Sequence, residues 1–124
     1  MKLNKLTKEE ESVIVNKNTE TPFTGEYDAF FEKGTYVCRR CEAPLYTSDS
    51  KFHSGCGWPS FDQEIEGSVK KVALPMADWF EIICNQCGGH LGHVFYGEGF
   101  TLKNTRHCVN SISLKFVPDN GQKK

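Results

Sequence analysis

The chain has 124 residues, with 15 basic and 16 acidic side chains and a formal net charge of -1 at pH 7. That length suits one domain with a modest core. The near-neutral charge argues against a general nucleic-acid binder. No apolar run approaches the length of a membrane span, and no apolar stretch of a signal peptide follows the charged start. We therefore expect a cytoplasmic protein whose thiols stay reduced.

The first predicted elements are helical. Residues 3–15 contain Thr7 followed three positions later by Glu10, the arrangement of a capping box, which predicts a short amphipathic helix. A second short helix is predicted over residues 26–33, ended by Gly34. Its aromatic residues, at helical spacing and expected in the core, are Tyr27, Phe30 and Phe31.

From residue 35 the sequence changes to short runs typical of β-strands. The predicted strands are residues 35–37, 44–46, 68–74, 79–84, 91–96 and 109–117. The last is the clearest, because Ile112, Leu114 and Phe116 alternate with polar residues as in a half-buried strand. The pattern predicts a mainly β fold with short helices on its N-terminal side. The predicted organisation is a single domain over residues 1–124, with a helical extension at 1–18 and a polar tail at 118–124.

Four of the six cysteines form two CxxC pairs, Cys38 with Cys41 and Cys84 with Cys87. Two thiolates at this spacing reach one ion from a tight turn, and four complete the tetrahedral shell of one structural zinc. The 42 residues between the pairs indicate that the ion joins two distant parts of the chain. Redox dithiols, disulfides or ligation by three cysteines and a histidine are the alternatives, although the βαβ pattern of a redox CxxC is absent.

The two unpaired cysteines are candidates for reactivity. Arg106 and Asn110 lie two residues on either side of Cys108, so in an extended segment all three share a face. A guanidinium there favours the thiolate, and the amide can orient a ligand. Cys56 lies between two glycines, which allow a loop to move toward a second sulfur. A small buried thiol and a simple tight turn are the structural alternatives.

Three further side chains are candidates for substrate contact. Trp58 precedes Pro59, which favours an extended conformation and a ring presented as an apolar wall, or else a core tryptophan. His90 and His93 lie in the glycine-rich segment directly after Cys87. Imidazoles donate protons most readily near neutral pH, so these two are candidate acids, with structural histidines as the alternative.

Taken together, these segments resemble the type B methionine sulfoxide reductases. The residues that carry the resemblance are 19–27, the Cys38/Cys41 pair, 51–61, 84–95 and 106–116. They occur in the family's order and cover nearly the whole chain. The resemblance implies a zinc-bearing fold of two antiparallel β-sheets with peripheral helices, and an enzyme that reduces the R epimer of methionine sulfoxide in peptides and proteins.

The resemblance also implies a role for each matched residue. Cys108 matches the nucleophile, which attacks the sulfoxide sulfur and becomes a sulfenic acid. Cys56 matches the resolving cysteine, which forms a disulfide with it that thioredoxin reduces. His90 and His93 match the residues that bind and protonate the sulfoxide oxygen. The remaining matches are Trp58, against the sulfoxide methyl group, and Arg106 and Asn110, beside the catalytic sulfur.

The sequence departs from the family at one position. Many members carry an acidic residue four positions after the second histidine, where this chain has Gly97, and Glu98 follows. This leaves an acidic contribution to the site open. Two other classes remain: a non-catalytic zinc-ribbon adaptor or nucleic-acid module with Cys108 in its core, and a hydrolase with an open zinc bound by His53, His90 or His93, which a site with four cysteine ligands would not allow. A monomer with no nucleic-acid or membrane partner is expected.

Overall fold

The computed structural model describes residues 2–75 and 77–119. Within them, helix α1 spans Lys8–Ile14 and is followed by nine strands. The strands are β1 Gly34–Cys38, β2 Pro44–Thr47, β3 Lys51–Phe52, β4 Ser60–Phe61, β5 Val69–Ala73, β6 Phe80–Cys84, β7 His90–Tyr96, β8 Thr105–Val109 and β9 Leu114–Pro118. Short 3-10 helices span Ser48–Ser50 and Ser111–Ser113. Among the described residues, no helix has the length and apolar character needed to cross a membrane.

The strands form two antiparallel sheets. A three-stranded sheet has the order β2-β1-β9, and a six-stranded sheet has the order β3-β4-β8-β7-β6-β5. All seven strand pairings are antiparallel, which confirms the mainly β fold with two antiparallel sheets. Buried side chains of both sheets, among them Tyr36, Tyr46 and Phe61, form one core cluster. Five predicted strands, all those before residue 97, coincide with β1, β2, β5, β6 and β7.

The N-terminal helix is shorter than predicted but has the expected cap. The Thr7 side chain accepts a hydrogen bond from the Glu10 amide, and the Glu10 carboxylate accepts one from the Thr7 amide. Val13 and Ile14 on its inner face are buried. The helix contacts β7 and the 3-10 helix that precedes β9, so this end of the chain belongs to the domain core.

The second predicted helix, over residues 26–33, is wrong. The described chain forms turns there, and α1 is its single α-helix. The Lys51 ammonium donates hydrogen bonds to the carbonyl oxygens of Asp28 and Phe30, of which the first would be bonded within a helix over these residues. Tyr27 is buried as predicted, whereas Phe31 is exposed, with the Lys51 ammonium 3.9 Å from its ring centroid.

The strand predicted over residues 109–117 is interrupted, because the chain crosses there from one sheet to the other. β8 ends at Val109, a 3-10 helix follows, and β9 begins at Leu114 in the three-stranded sheet. The Glu20 carboxylate accepts the main-chain N–H groups of Ser111 and Ile112, which removes them from any strand pairing. Ser111 and Ser113, expected on a solvent face, are therefore buried.

Three strands were missed or misplaced by the sequence patterns. β3 and β4 have only two residues each, too few for a visible alternation, and β8 begins four residues before the predicted segment. At the C-terminus, Pro118 ends β9 instead of beginning a polar tail. Met1 and residues 120–124, included in the predicted extension and tail, lie outside the described residues.

Candidate active site and metal centre

Four cysteine sulfurs meet where the two sheets approach each other. Cys38 ends β1 in one sheet and Cys84 ends β6 in the other, and each is followed by a turn that carries its CxxC partner. In each turn, the residue after the second cysteine has a left-handed backbone conformation, with φ of 65° at Glu42 and 78° at Gly88. The two CxxC segments are thus equivalent turns that face each other across the sheets.

The sulfur positions fit one tetrahedral metal ion. The Sγ atoms of Cys38 and Cys87 are 3.6 Å apart, those of Cys41 and Cys84 are 3.5 Å apart, and all four lie within 4.8 Å of one another. Metal–sulfur bonds of about 2.3 Å in a tetrahedron require sulfur separations of about 3.8 Å. The cluster consists of the four cysteines alone among the described residues, without His90 or His93. The predicted metal site is confirmed as a four-cysteine cluster able to bind a metal ion.

The two unpaired cysteines come together at the six-stranded sheet. Cys108 lies on β8, paired with Ser60 of β4 on one side and His93 of β7 on the other. Cys56 lies in the loop before β4, and its Sγ atom is 3.7 Å from that of Cys108. Each thiol is partly buried. A short movement of the loop would bring the two sulfurs to bonding distance.

The hydrogen bond between these sulfurs shifts the pKa values of the two thiols in opposite directions. The Cys108 thiol, as donor, lowers the pKa of Cys56 to about 4, with further help from the hydroxyls of Ser54 and Ser60 and against the effect of burial. The same hydrogen bond, together with burial, raises the pKa of Cys108 and outweighs the opposing charge of Arg106. Arg106 acts in the direction expected from the sequence, since it lowers the pKa of Cys108, but in the resting pair the hydrogen bond and burial outweigh it and the negative charge favours Cys56.

A small, mainly apolar cavity of about 150 Å³ opens beside Cys108. Its lining residues are Thr19, Trp58, Gly92, His93, Phe95, Cys108 and Asn110. Four of these were predicted as site residues. Position 92 requires glycine, because a methyl group there would overlap the main-chain carbonyl oxygen of Cys108. The cavity therefore offers apolar walls, one sulfur, one imidazole and one amide.

Two cavity walls are held by the same main-chain segment. The Trp58 indole donates a hydrogen bond of 3.0 Å to the carbonyl oxygen of Glu20, and the Glu20 amide donates one of 3.0 Å to Asn110 Oδ1. Asn110 Nδ2 in turn donates to the carbonyl oxygen of Leu91. Because the Glu20 carboxylate also binds the 3-10 helix after Asn110, this segment fixes both side chains in relation to β8.

The two histidines occupy different positions. His93 lines the cavity, and burial followed by the charge of His90 lowers its pKa, while Glu81 opposes this shift. His90 lies behind it, 2% exposed, with the ring centroids 5.6 Å apart. His90 Nδ1 is 2.8 Å from a carboxylate oxygen of Glu81, whose other oxygen is 3.3 Å from Lys17 Nζ. Only one of the two histidines therefore faces the cavity.

Arg106 lies beside the cavity instead of lining it. Its Nε and Nη2 atoms donate to the two carboxylate oxygens of Glu98 at 2.7 and 3.1 Å. The guanidinium carbon lies 4.5 Å from the centroid of the Phe95 ring, one wall of the cavity. Glu98 thus brings a carboxylate to the edge of the site, one position after Gly97.

The sequence patterns gave no role to Glu81, Glu20 or Phe95. Glu81 had a visible signal, because a carboxylate within the otherwise apolar run of β6 must be paired if it is buried. Glu20 had none, since its partners lie about ninety residues away in the chain. Phe95 was assigned to a strand, but only the sheet topology brings its ring beside Arg106.

Comparison with known proteins gives a family for this site. The SelR domain model matches residues 6–118. Peptide methionine sulfoxide reductase B3, chloroplastic, of Oryza sativa subsp. japonica is 53% identical over 114 residues, which are 91% of this chain and 50% of that protein. Peptide methionine sulfoxide reductase B2, chloroplastic, of Arabidopsis thaliana is 52% identical over 116 residues, 93% of this chain and 57% of that protein.

A third relative is matched over most of its own length. Peptide methionine sulfoxide reductase B5 of Oryza sativa subsp. japonica is 50% identical over 114 residues, 91% of this chain and 84% of that protein. The chain spans only about half the length of the first two relatives. The chain belongs to the SelR domain family, together with the peptide methionine sulfoxide reductases B.

Proposed function

We propose that this chain is an oxidoreductase that reduces methionine R-sulfoxide in peptides and proteins to methionine. The observation that carries the proposal is a cavity lined by Cys108, whose sulfur lies 3.7 Å from that of Cys56. The names of the relatives describe the same substrate class. A volume of about 150 Å³ suits a side chain rather than a large ligand.

The first step uses Cys108 as the nucleophile. The Cys108 thiol loses its proton to solvent and its sulfur attacks the sulfoxide sulfur. The oxygen, protonated by the enzyme, transfers to Cys108 as a hydroxyl and methionine leaves, so that a thiol is oxidised to a sulfenic acid while a sulfoxide is reduced to a thioether. His93 donates a proton to the oxygen, supported from behind by His90. Trp58 contacts the sulfoxide methyl group, and Asn110 orients the oxygen.

The second step uses Cys56. Its thiolate attacks the oxidised sulfur of Cys108, a disulfide forms, and the hydroxyl group leaves as water after it takes up a proton. A thioredoxin dithiol then reduces the disulfide by exchange. The ion pair of Arg106 and Glu98 lies at the edge of the cavity, where it orients the guanidinium near both sulfurs.

The R epimer is expected to be consumed and the S epimer to remain. The resemblance to the type B reductases carries this expectation, and Trp58 and His93, which both line the cavity with Cys108, are the residues assigned to the methyl group and the oxygen of the epimer that reacts. The measurement is the methionine formed from peptides carrying each pure epimer, with dithiothreitol as reductant. Equal turnover of both epimers would overturn the R specificity, and no turnover of either would overturn the proposed activity.

Replacing Glu81 with glutamine is expected to move the alkaline limb of the kcat/KM profile to lower pH. A proton donor is lost as pH rises through its pKa, and the Glu81 carboxylate raises the pKa of His93 against the effects of burial and of His90. Without that charge the pKa of His93 falls further. At a pH above the pKa of His93 a lower pKa means a smaller protonated fraction, so we expect kcat/KM at neutral pH to fall below that of the parent.

The control for this variant is Glu42→Gln, which removes an exposed carboxylate located between β1 and β2 that pairs with Lys115. Glu81→Asp keeps the charge and is expected to retain the pH profile of the parent. A profile in Glu81→Gln with lower amplitude but an unchanged alkaline limb would contradict the electrostatic role of Glu81, and would indicate only a structural one.

We propose zinc as the metal, one per chain, in a purely structural role. Four thiolates fill a tetrahedral shell, so the ion has no position for a substrate. An open zinc hydrolase is disfavoured because neither His90 nor His93 belongs to the sulfur cluster, and His53 is exposed. A non-catalytic adaptor leaves the cavity and the paired thiols beside it without explanation.

We also propose the oligomeric state, the partners and the compartment of the enzyme. We propose a monomer that acts on methionine sulfoxide-containing peptides and proteins, without a nucleic-acid or membrane partner. Unpaired thiols 3.7 Å apart suit a reducing compartment. We propose the cytoplasm, although two of the relatives carry a chloroplastic designation.

A further inference from the structure

Two serine hydroxyls surround the sulfur of Cys56. The Ser54 hydroxyl donates to Cys56 Sγ at 3.1 Å, and Ser60 Oγ lies 3.5 Å from the same sulfur. The two hydroxyl oxygens are 2.7 Å apart. The Cys56 amide donates to Ser54 Oγ at 3.3 Å, which closes a small ring of main-chain and side-chain contacts. We call Ser54 and Ser60 the hydroxyl pair.

The contact distances indicate which hydroxyl of the hydroxyl pair donates and which accepts. The single proton of Ser54 is used by Cys56 Sγ. The single proton of Ser60 has two oxygen acceptors in reach, Ser54 Oγ at 2.7 Å and the Trp58 carbonyl oxygen at 3.3 Å, and the shorter contact is the one to Ser54. Ser60 therefore donates to Ser54, and Ser54 donates to the sulfur. Hydrogen bonds in such a chain polarise one another, which strengthens the last donor. Ser60 is 1% exposed, so the chain is shielded from water at its inner end.

We propose that Ser54 and Ser60 are positioning residues that hold the Cys56 sulfur as a thiolate, oriented for attack on the oxidised Cys108. This inference deepens the proposed function and rests on it. Ser60 is the direct cross-strand neighbour of Cys108, so the pair also ties the loop of Cys56 to the strand beside the nucleophile. In the step itself the Cys56 thiolate forms the S–S bond, the S–O bond of the Cys108 sulfenic acid breaks, and the hydroxide takes a proton to leave as water.

The hydroxyl pair matters most after the first step. In the resting protein the Cys108 thiol is the strongest contributor to the acidity of Cys56. That thiol proton is lost when Cys108 becomes a sulfenic acid, whereas Ser54 and Ser60 keep their places. The titratable or charged groups that interact with Cys56 are Cys108 and Arg106, both on β8. The two serines lie on β4 and in the loop before it, so their hydroxyls do not depend on the protonation state of either group.

The test measures the reactivity of Cys56 without Cys108. In Cys108→Ala, the rate of Cys56 alkylation by iodoacetamide is followed against pH by mass spectrometry of the Cys56 peptide. We expect a midpoint below the ordinary thiol value of about 8.5. Adding Ser54→Ala is expected to raise this midpoint by about one pH unit, the size of one hydrogen bond to a charged group. Ser54→Thr keeps a hydroxyl and is expected to restore the lower midpoint.

Ser68→Ala is the matched control, because its hydroxyl donates to the carbonyl oxygen of Leu45 in another part of the domain. Ser60→Ala, which removes the donor to Ser54, is expected to raise the midpoint as well. If this buried variant fails to fold, the comparison of alanine and threonine at position 54 decides alone. An unchanged midpoint in Ser54→Ala would overturn the proposal.

The proposed function is tested separately in the chain with both thiols intact. There, the Cys56–Cys108 disulfide peptide is sought after one turnover of the sulfoxide peptide. Its absence would count against the proposed function, whatever the alkylation midpoint of Cys56. Its presence together with an unchanged midpoint would overturn only the role of the hydroxyl pair. With Ser54→Ala we expect the Cys108 sulfenic acid, trapped by dimedone, to accumulate several-fold over the parent.

Discussion

Serine in place of Cys108 is expected to lower kcat/KM for methionine sulfoxide reduction by at least about a thousandfold, because no other thiol lines the cavity in the described chain. A hydroxyl at this position is a far weaker nucleophile than sulfur, and it cannot store the oxygen as a sulfenic acid. The substitution is nearly isosteric, so the fold should be retained. The measurement is methionine release from an R-sulfoxide peptide, with both dithiothreitol and thioredoxin as reductants.

Cys56→Ser is the informative comparison for this loss. It keeps the nucleophile and removes the second sulfur, so we expect one equivalent of methionine per chain and then arrest when thioredoxin is the reductant. A small thiol such as dithiothreitol is expected to reduce the sulfenic acid directly and to restore turnover. Equal activity of Cys108→Ser and the parent would falsify the assignment of the nucleophile.

Removal of the metal, or the substitution Cys84→Ser, is expected to unfold the domain or to lower its Tm by tens of degrees. The four cysteines join β1 of one sheet to β6 of the other, so the ion cross-links both sheets of the core. Structural zinc contributes about 10–16 kcal/mol in small zinc-dependent folds. An ordinary domain has only about 5–15 kcal/mol of stability in total.

This prediction is checked by metal content and by thermal unfolding with and without a chelator. The matched control is Cys56→Ser, which removes a thiol outside the cluster and should retain one equivalent of metal. A fully folded, metal-free Cys84→Ser protein with the Tm of the parent would contradict a structural role. Substitution of another tetrahedral ion for zinc is expected to preserve both the fold and the turnover, because no step of the reaction uses the ion.

The parts of the fold that depend on local chemistry were predictable from the sequence. The capping box of Thr7 and Glu10 needs only residues three positions apart, and each CxxC turn needs only four. The break after Val109 was not predictable, because it depends on the Glu20 carboxylate, which reaches Ser111 from 91 residues away. The apparent alternation there is continuous in sequence although the chain changes sheets.

The residues 26–33 illustrate the opposite case, in which a local signal was overridden. Helical spacing of aromatic residues favours a helix only weakly, whereas a buried ammonium without hydrogen-bond acceptors costs much free energy. Lys51 takes the carbonyl oxygens of Asp28 and Phe30, so the aromatic residues pack from turns. No pattern within residues 26–33 could reveal a lysine twenty residues further along.

For the candidate site, residue types were predictable but their arrangement was not. Both histidines followed from the glycine-rich segment, yet only the structure shows that His93 lines the cavity while His90 contacts Glu81. The irregular register between β6 and β7 lets these two residues, three positions apart, share a face of the strand. The sequence also placed Arg106 on the side of Cys108. The competing hydrogen bond from Cys108 to Cys56, which outweighs that guanidinium, depends on a loop that only the three-dimensional structure brings near.

Strand β8 lies between β4 and β7 in the six-stranded sheet, so its pairing register determines which residues lie side by side in the active site. Ser60, Cys108 and His93 lie side by side across three adjacent strands, and the next residue along β8 toward the N-terminus, His107, is fully buried on the other face. A shift of β8 by one residue would exchange these two faces and bury the sulfur. A misfolded population of this kind would keep its strand content and its metal while losing thiol reactivity. Titration of Cys108 would therefore report the quality of refolding better than circular dichroism.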